Sequence, residues 1–211
     1  MNLFDFFSDE LAPKYPSKYE DKESYYLQFI ESTELDYYLT FFSAKEEEKK
    51  KIIATDQSIK LFDIDFKSGT ETILKNMGSA RFKSSYKKDG LKTTVLFYKK
   101  QFYSYKAIVQ FHFINNQLVF GSLIIPHHNN QTISALSKLL SIKYSESLSN
   151  KLESSIVVDS DNNRIFYSNY FYPTLIYIGN NVQQIKPMLK KSTESKIFRI
   201  QKHLSAWYER L

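Results

Sequence analysis

The chain has 211 residues, with 29 Lys and Arg against 23 Asp and Glu, a formal charge of +6 and a pI of about 9.1. Five Gly and five Pro exclude collagen-like and Gly/Pro-rich disordered classes. The absence of Cys excludes disulfide frameworks, thiol nucleophiles, Cys-ligated metal centres and thiol-borne lipid anchors.

The N-terminus, Met1 to Glu10, has its short apolar stretch broken by Asp5 and followed by acids, unlike a secretory leader. The longest apolar stretch, Leu118 to Pro126, is far below the roughly 20 residues that span a bilayer. The expected address is therefore cytoplasmic, with no membrane partner. Residues 1–66 carry a net charge of −7 and residues 67–211 a net charge of +13. Either the acidic part packs against the basic part, or the basic part faces an anionic partner.

Through Lys18 the chain reads as a loosely ordered arm that docks through its Phe cluster. From about Lys22, the spacing Tyr26, Phe29/Ile30, Thr33, Tyr37 and Phe41 is helical. The run Lys45 to Lys51 continues or restarts that helix, with Glu46–Lys50 and Glu47–Lys51 as i,i+4 pairs. Residues 1–56 thus read as an acidic helical N-terminal element, and 57–211 as an α+β domain divisible into units 57–128 and 129–211.

Ile59 to Phe66 alternates as a strand, with Phe62, Ile64 and Phe66 on one face and Asp63 and Asp65 on the other. Gly69 precedes a short helix, Thr70 to Met77, closed by Gly78. Two hairpins follow, Arg81–Lys88 to Leu91–Lys99 through Asp89-Gly90, and Tyr105–Ile114 to Gln117–Ile125 through Asn115-Asn116. Two-residue turns predict that Phe113 pairs with Leu118, Phe111 with Phe120 and Val109 with Ser122, placing one apolar face inward. The other face of that strand, with Lys106, Ile108, Gln110, His112 and Ile114, is mixed and expected to be half covered.

Ile133, Leu136, Leu139 and Leu140 form a helical stripe after Asn129-Asn130. Ile156–Val158, Arg164–Tyr167 and Thr174–Ile178 read as strands. Ile197, Ile200, Leu204, Trp207, Tyr208 and Leu211 mark an amphipathic C-terminal helix. The predicted class is α+β, an antiparallel meander sheet with packed helices.

Gly69-x8-Gly78, with Ile73-Leu74 on the helix and strands after it, resembles a unit found in two protein groups. These are the small outer-membrane assembly lipoproteins and the β-lactamase-inhibitor-protein fold. The resemblance covers about residues 66–125, and a helix-plus-three-strand echo spans 131–178. Position 80 is Ala80 where such units often carry Pro, and without Cys the chain is not a lipoprotein. The resemblance implies a protein-binding scaffold without catalysis.

Motif chemistry is mostly refused. Glycines at 69, 78, 90, 121 and 179 spell neither a dinucleotide fingerprint nor a P-loop. Asp159-x-Asp161-x-Asn163 starts like a calcium loop, but Arg164 and Tyr170 stand where Gly and Glu are needed. Ser84-x-x-Lys87 and Ser85-x-x-Lys88 lie on a predicted strand without companion motifs. No cofactor is implied. Arg81 to Lys106 interleaves eight bases with seven aromatics, a pattern suited to phosphate attraction plus base stacking. Arginine is scarce, however, with four Arg against 25 Lys. A further basic cluster, from Lys186 to Lys202, lies near the last helix.

The expected function is a non-catalytic binding, adaptor or inhibitor-like protein whose partner is another protein. Its aromatic-rich sheet surface would use exposed Tyr98, Tyr103 and Tyr105 as anchors beside Lys99, Lys100 and Lys106. Two alternatives stand beside it. One is a nucleic-acid-binding module using strands 81–106. The other is an enzyme with an unfamiliar site near His112, His127, His128, Asp63 and Asp65.

Overall fold

The structure, a computed structural model, describes residues 7–9, 25–26, 29, 50–88, 90–102, 105–126, 130–148, 151–169, 172–185 and 187. The predicted C-terminal helix and most of the predicted N-terminal helix lie outside these residues. Nine strands form one sheet: β1 (Phe7–Asp9), β2 (Lys51–Thr55), β3 (Phe82–Lys88), β4 (Leu91–Phe102), β5 (Tyr105–Ile114), β6 (Gln117–Ile124), β7 (Ser155–Asp159), β8 (Arg164–Ser168) and β9 (Thr174–Ile178). Their order is β1-β4-β5-β6-β9-β8-β7-β2, with β3 also paired to β4. Among the described residues, helices α1 (Thr70–Met77) and α2 (Asn130–Lys143) accompany it. The protein is α+β with a mostly antiparallel sheet.

The hairpin turns form where the turn residues stand. Asn115 and Asn116 take φ of 50° and 62°, the geometry of a type I′ turn, and Gly90 takes φ of 81°. Asn116 has a second task, because its Oδ1 accepts from the backbone N–H and the hydroxyl of Thr70, joining the hairpin tip to the start of α1. Gly78 ends that helix at φ 73°.

The predicted register holds at one pair and fails beyond it. Phe113 pairs with Leu118, but His112 pairs with Phe120, Phe111 with Gly121 and Val109 with Leu123. A bulge between His112 and Phe113 places an extra residue on β6, and a one-residue shift turns every later side chain to the other face. Phe111, Phe113 and Leu118 lie in the core on the first face, whereas Phe120 is buried in the core on the second. The backbone groups freed by the bulge find partners. Leu118 C=O accepts from the Lys67 N–H (2.9 Å), Leu118 N–H donates to Ser68 C=O (2.9 Å), and Val119 C=O accepts from the Gly179 N–H (2.9 Å).

Two predicted elements are corrected. Residues 59–66 form no strand, because Leu61 to Ile64 folds into a tight turn with Phe62 and Asp63 at φ 53° and 58°. Positive φ is costly for a bulky residue. Burial of the Phe62 ring against Phe111 (6.5 Å) in the first core offsets that cost. Asp63 and Asp65 are therefore exposed turn residues held near Lys143 (3.9 Å) and Lys60 (2.9 Å), not a strand face. Lys51 does not continue a helix; it starts β2, which runs parallel to β7 and carries the sheet across the expected boundary at residue 56. Ile53 points into the first core while Ile52 is exposed. Two adjacent isoleucines hide that alternation in a strand of five residues.

The first face carries Leu96, Tyr98, Val109, Phe111, Phe113, Leu123, Ile165, Leu175 and Tyr177. They are buried with Ile73 of α1, with Leu136, Leu139 and Leu140 of α2, and with the 59–64 turn. The second face carries two smaller clusters. Phe120, Ile156, Phe166, Ile176 and Ile178 pack with Val182 and Ile185, while Val95, Phe97, Ile108 and Ile124 pack with Tyr26 and Phe29.

Candidate binding faces of the sheet

The five described residues of the expected contact surface, Tyr98, Lys99, Lys100, Tyr105 and Lys106, divide between the two faces of the sheet. Tyr98 is 3% exposed; its hydroxyl donates to Gly78 C=O (3.0 Å) and its ring meets Phe111 edge-on at 5.8 Å. The satisfied hydroxyl makes this burial inexpensive, and burial pushes its pKa up to about 12. Tyr98 is thus a core residue rather than an exposed anchor. Lys99 and Lys100 are also buried, at 6% and 5% exposure, and alternation sends them to opposite faces. The Lys99 ammonium lies over the Tyr25 ring at 4.5 Å and the Tyr26 ring at 6.0 Å, a cation–π arrangement. Lys100 stands opposite Asp9 in the β1–β4 register. Tyr105 is half-buried against the first core, Lys106 is exposed, and Tyr103 lies outside the described residues.

The interleaved lysines and rings of β3 part in the same way. Phe82, Ser84 and Tyr86 face the second side, where Phe82 stacks on Tyr26 (5.4 Å, 6°) and packs on Phe97 (5.6 Å). Lys83, Ser85 and Lys87 face the other side, and Lys83 and Lys87 are exposed. Lys87 pairs directly with Lys92 of β4, which is exposed as well. A like-charge pair directly across two strands destabilises the sheet. The expected surface of lysines beside exposed rings is therefore split between two faces.

The second face contains a polar network on the side of β5 whose sequence is mixed. Gln110, His112 and Ser122 are all buried. The Gln110 Nε2 donates to Phe29 C=O at 3.0 Å, so its Oε1 must face the other way. That oxygen accepts from the Ser122 hydroxyl (3.0 Å) and from His112 Nε2 (2.8 Å), which fixes the proton on Nε2. The His112 ring also meets Phe120 edge-on at 4.8 Å. Burial pushes its pKa down to about 3. The signal for this network was present: polar residues at 110 and 112 interrupt one apolar side of β5, and only the register shows that Ser122 lies opposite Gln110.

Because the folded pKa of His112 lies below the ordinary value of about 6.5, its contribution to stability is complete above that pH and is lost as pH falls toward 3. Acidification from pH 6.5 to 5 is expected to lower unfolding free energy by up to about 2 kcal/mol through this ring. Urea titrations at the two pH values check this, and His112→Gln should remove most of the difference.

The other chemical candidates are engaged structurally. Asp159 accepts from the backbone N–H groups of Ile59, Asp161 and Asn163 and from Asn163 Nδ2, closing the β7–β8 turn. His127 and His128 lie outside the described residues. Among the described residues, no three His, Asp or Glu converge as a metal site, and no helix is long and apolar enough to cross a membrane. Comparisons with family models, curated proteins and solved structures give no match. Fold and faces together define an α+β sheet protein with one lysine-bearing ribbon and one covered aromatic face.

Proposed function

We propose that this chain is a non-catalytic, cytoplasmic binding protein that captures an acidic segment of another protein on the β3–β4 ribbon. The observation that carries this reading is the exposed pair Lys87–Lys92, with Lys83 on the same side. Lysines on an edge strand oppose aggregation, but that role does not call for Lys92 on the inner strand directly opposite Lys87. A cost to the sheet with no structural return favours a ligand of opposite charge. The succession of α1 with β3–β6 and of α2 with β7–β9 supports a scaffold reading akin to the β-lactamase-inhibitor-protein fold. Among the described residues, Asp159 is taken up by its turn, Asp63 and Asp65 stand beside lysines, and His112 is buried, which supports a role without acid–base chemistry at these four.

Single-stranded nucleic acid is the second class of polyanion, and it binds best where bases stack on rings beside the cations. Here Phe82 and Tyr86 face away from Lys83 and Lys87. The test uses a Glu-rich peptide and an oligo-dT strand as probes. Lys87→Glu/Lys92→Glu is expected to weaken peptide binding at least ten-fold. The single change Lys92→Glu, by pairing with Lys87, should raise stability by about 0.2–1 kcal/mol. Unchanged peptide affinity, or preference for the oligonucleotide, overturns the reading.

A further inference from the structure

The two ends of the sheet differ in character. At one end β3 carries exposed Lys83 and Lys87, the kind of charge that keeps an edge strand from pairing with another chain. At the other end stands β2, which among the described residues pairs with β7 alone, so its outer side meets no further strand. Ile52 of β2 is 66% exposed, more than any other large apolar side chain among the described residues.

Ile52 is not an isolated surface residue. It stands beside Ile156 of β7, which pairs with Phe166 of β8, which pairs with Ile176 of β9. Those three are buried in one cluster on the second face, so an apolar row crosses three strands and breaks off at an exposed isoleucine. Ala54, exposed and two residues on, lies on the same face. A strand added outside β2 would complete the backbone ladder and cover this row together.

The residues of the edge indicate which strand fits. Lys50 and Lys51 stand at its start and exposed Asp56 at its end. A second β2 in parallel would set base beside base and acid beside acid. An antiparallel second β2, with the two-fold axis at Ile53, sets Lys50 opposite Asp56, Lys51 opposite Thr55 and Ile52 opposite Ala54 of the second copy. Moving the axis to Ala54 would put Ile52 opposite Asp56, and moving it to Ile52 would put Lys50 opposite Ala54. The register at Ile53 thus matches apolar with apolar and base with acid. The Lys50 ammonium is held over Phe166 at 4.8 Å and donates to Tyr167 C=O at 2.8 Å, so it acts through its field, while Lys51 stands exposed at the same end.

We infer that β2 is a self-association edge, and that two copies of this chain join there as an antiparallel, two-fold pair. The sheet then runs on through both copies, with a lysine ribbon toward each far end. A ladder of five residues a side falls short of the roughly 1,000 Å² of a tight complex, so the dimer is weak and concentration-dependent. The edge and the lysine ribbon lie at opposite ends of the sheet, so either proposal survives failure of the other.

The test uses the full chain, whose lack of Cys lets engineered thiols report the pairing without background. Ile52→Cys and Ala54→Cys, mixed under mild oxidation, are expected to cross-link with each other at least about ten-fold faster than either does with itself. In this register 52 faces 54, whereas like positions are two residues out of step and beyond the Cα separation of about 7 Å that a disulfide can bridge. Both positions are exposed, so the core is undisturbed. Light scattering of the unaltered chain should rise from 24.9 kDa toward twice that mass between about 5 and 500 µM, and Ile52→Lys should move the midpoint up at least about ten-fold. A monomer throughout that range, association indifferent to Ile52→Lys, or like-with-like cross-linking as fast as the mixed pair overturns the inference. So does slow hydrogen exchange at the outward amides of β2 already at about 5 µM, because the chain would then cover its own edge.

Discussion

Asp159→Ala is expected to destabilise the protein by about 4 kcal/mol and to lower Tm by about 8–16 °C. The carboxylate is 6% exposed and accepts four hydrogen bonds, from Ile59 N–H (2.8 Å), Asp161 N–H (3.0 Å), Asn163 N–H (2.8 Å) and Asn163 Nδ2 (3.0 Å). Truncation leaves those donors without their acceptor, and a buried donor so stranded costs about 1–3 kcal/mol. Three of the bonds hold the β7–β8 turn itself. The Ile59 bond does more, because it ties the 59–64 turn, a hundred residues away in sequence, to the end of β7. Asn163 extends the knot, since its Oδ1 accepts from the Asn180 N–H (2.9 Å) beyond β9. Asp159→Asn keeps one amide oxygen as acceptor and should lose roughly half as much. Urea and thermal unfolding measure both. A loss below about 1 kcal/mol for the alanine variant would show that the carboxylate does not organise these turns.

The second large effect is expected at Gly121, in the middle of β6. A Cβ built there would lie 2.1 Å from Leu61 Cδ2 and 3.2 Å from the Gln110 carbonyl. The Leu61 side chain is the far end of a flexible group, but it is fully buried in the first core and has little room to move. Gly121→Ala should therefore cost about 1–3 kcal/mol through overpacking, and Gly121→Val more. Because the clash is with one named side chain, the costs should not add. Leu61→Ala alone creates a cavity, yet combined with Gly121→Ala it should recover part of the loss, with a coupling of about 0.5–3 kcal/mol. Additive losses in the double variant would place the strain elsewhere. Both predictions concern one construction, the 59–64 turn pressed onto the first face of the sheet by Leu61 over Gly121 and by Ile59 on Asp159.

The two candidate faces follow from the same strand alternation. On β3 a single period of two sends Lys83 and Lys87 one way and Phe82 and Tyr86 the other, so neighbours in sequence serve different surfaces. The lysine side remains open and the ring side is covered by Tyr26. A surface that used cations and rings together, as expected from their interleaving, would need them on alternate residues of one face.

Much of the fold could be read from the amino-acid order alone. The hairpins at Asp89-Gly90 and Asn115-Asn116, the helix ending at Gly78, the stripe of α2 and strands β7 to β9 all rest on local chemistry. Positive φ at Asn and Gly, and apolar periods of 2 or 3.6, act over a few residues and leave their mark within them. Tertiary structure decided what depends on distant partners. The bulge that turns Phe120 away from Phe111 is completed by Lys67, Ser68 and Gly179; the turn at Phe62 exists because a core receives its ring; β2 forms because β7 lies beside it. The same holds for the buried polar network on the second face. Gln110 and Ser122 are 12 positions apart and Phe29 is 81 from Gln110, so their shared network became visible only when the register brought β5 and β6 together beneath Phe29.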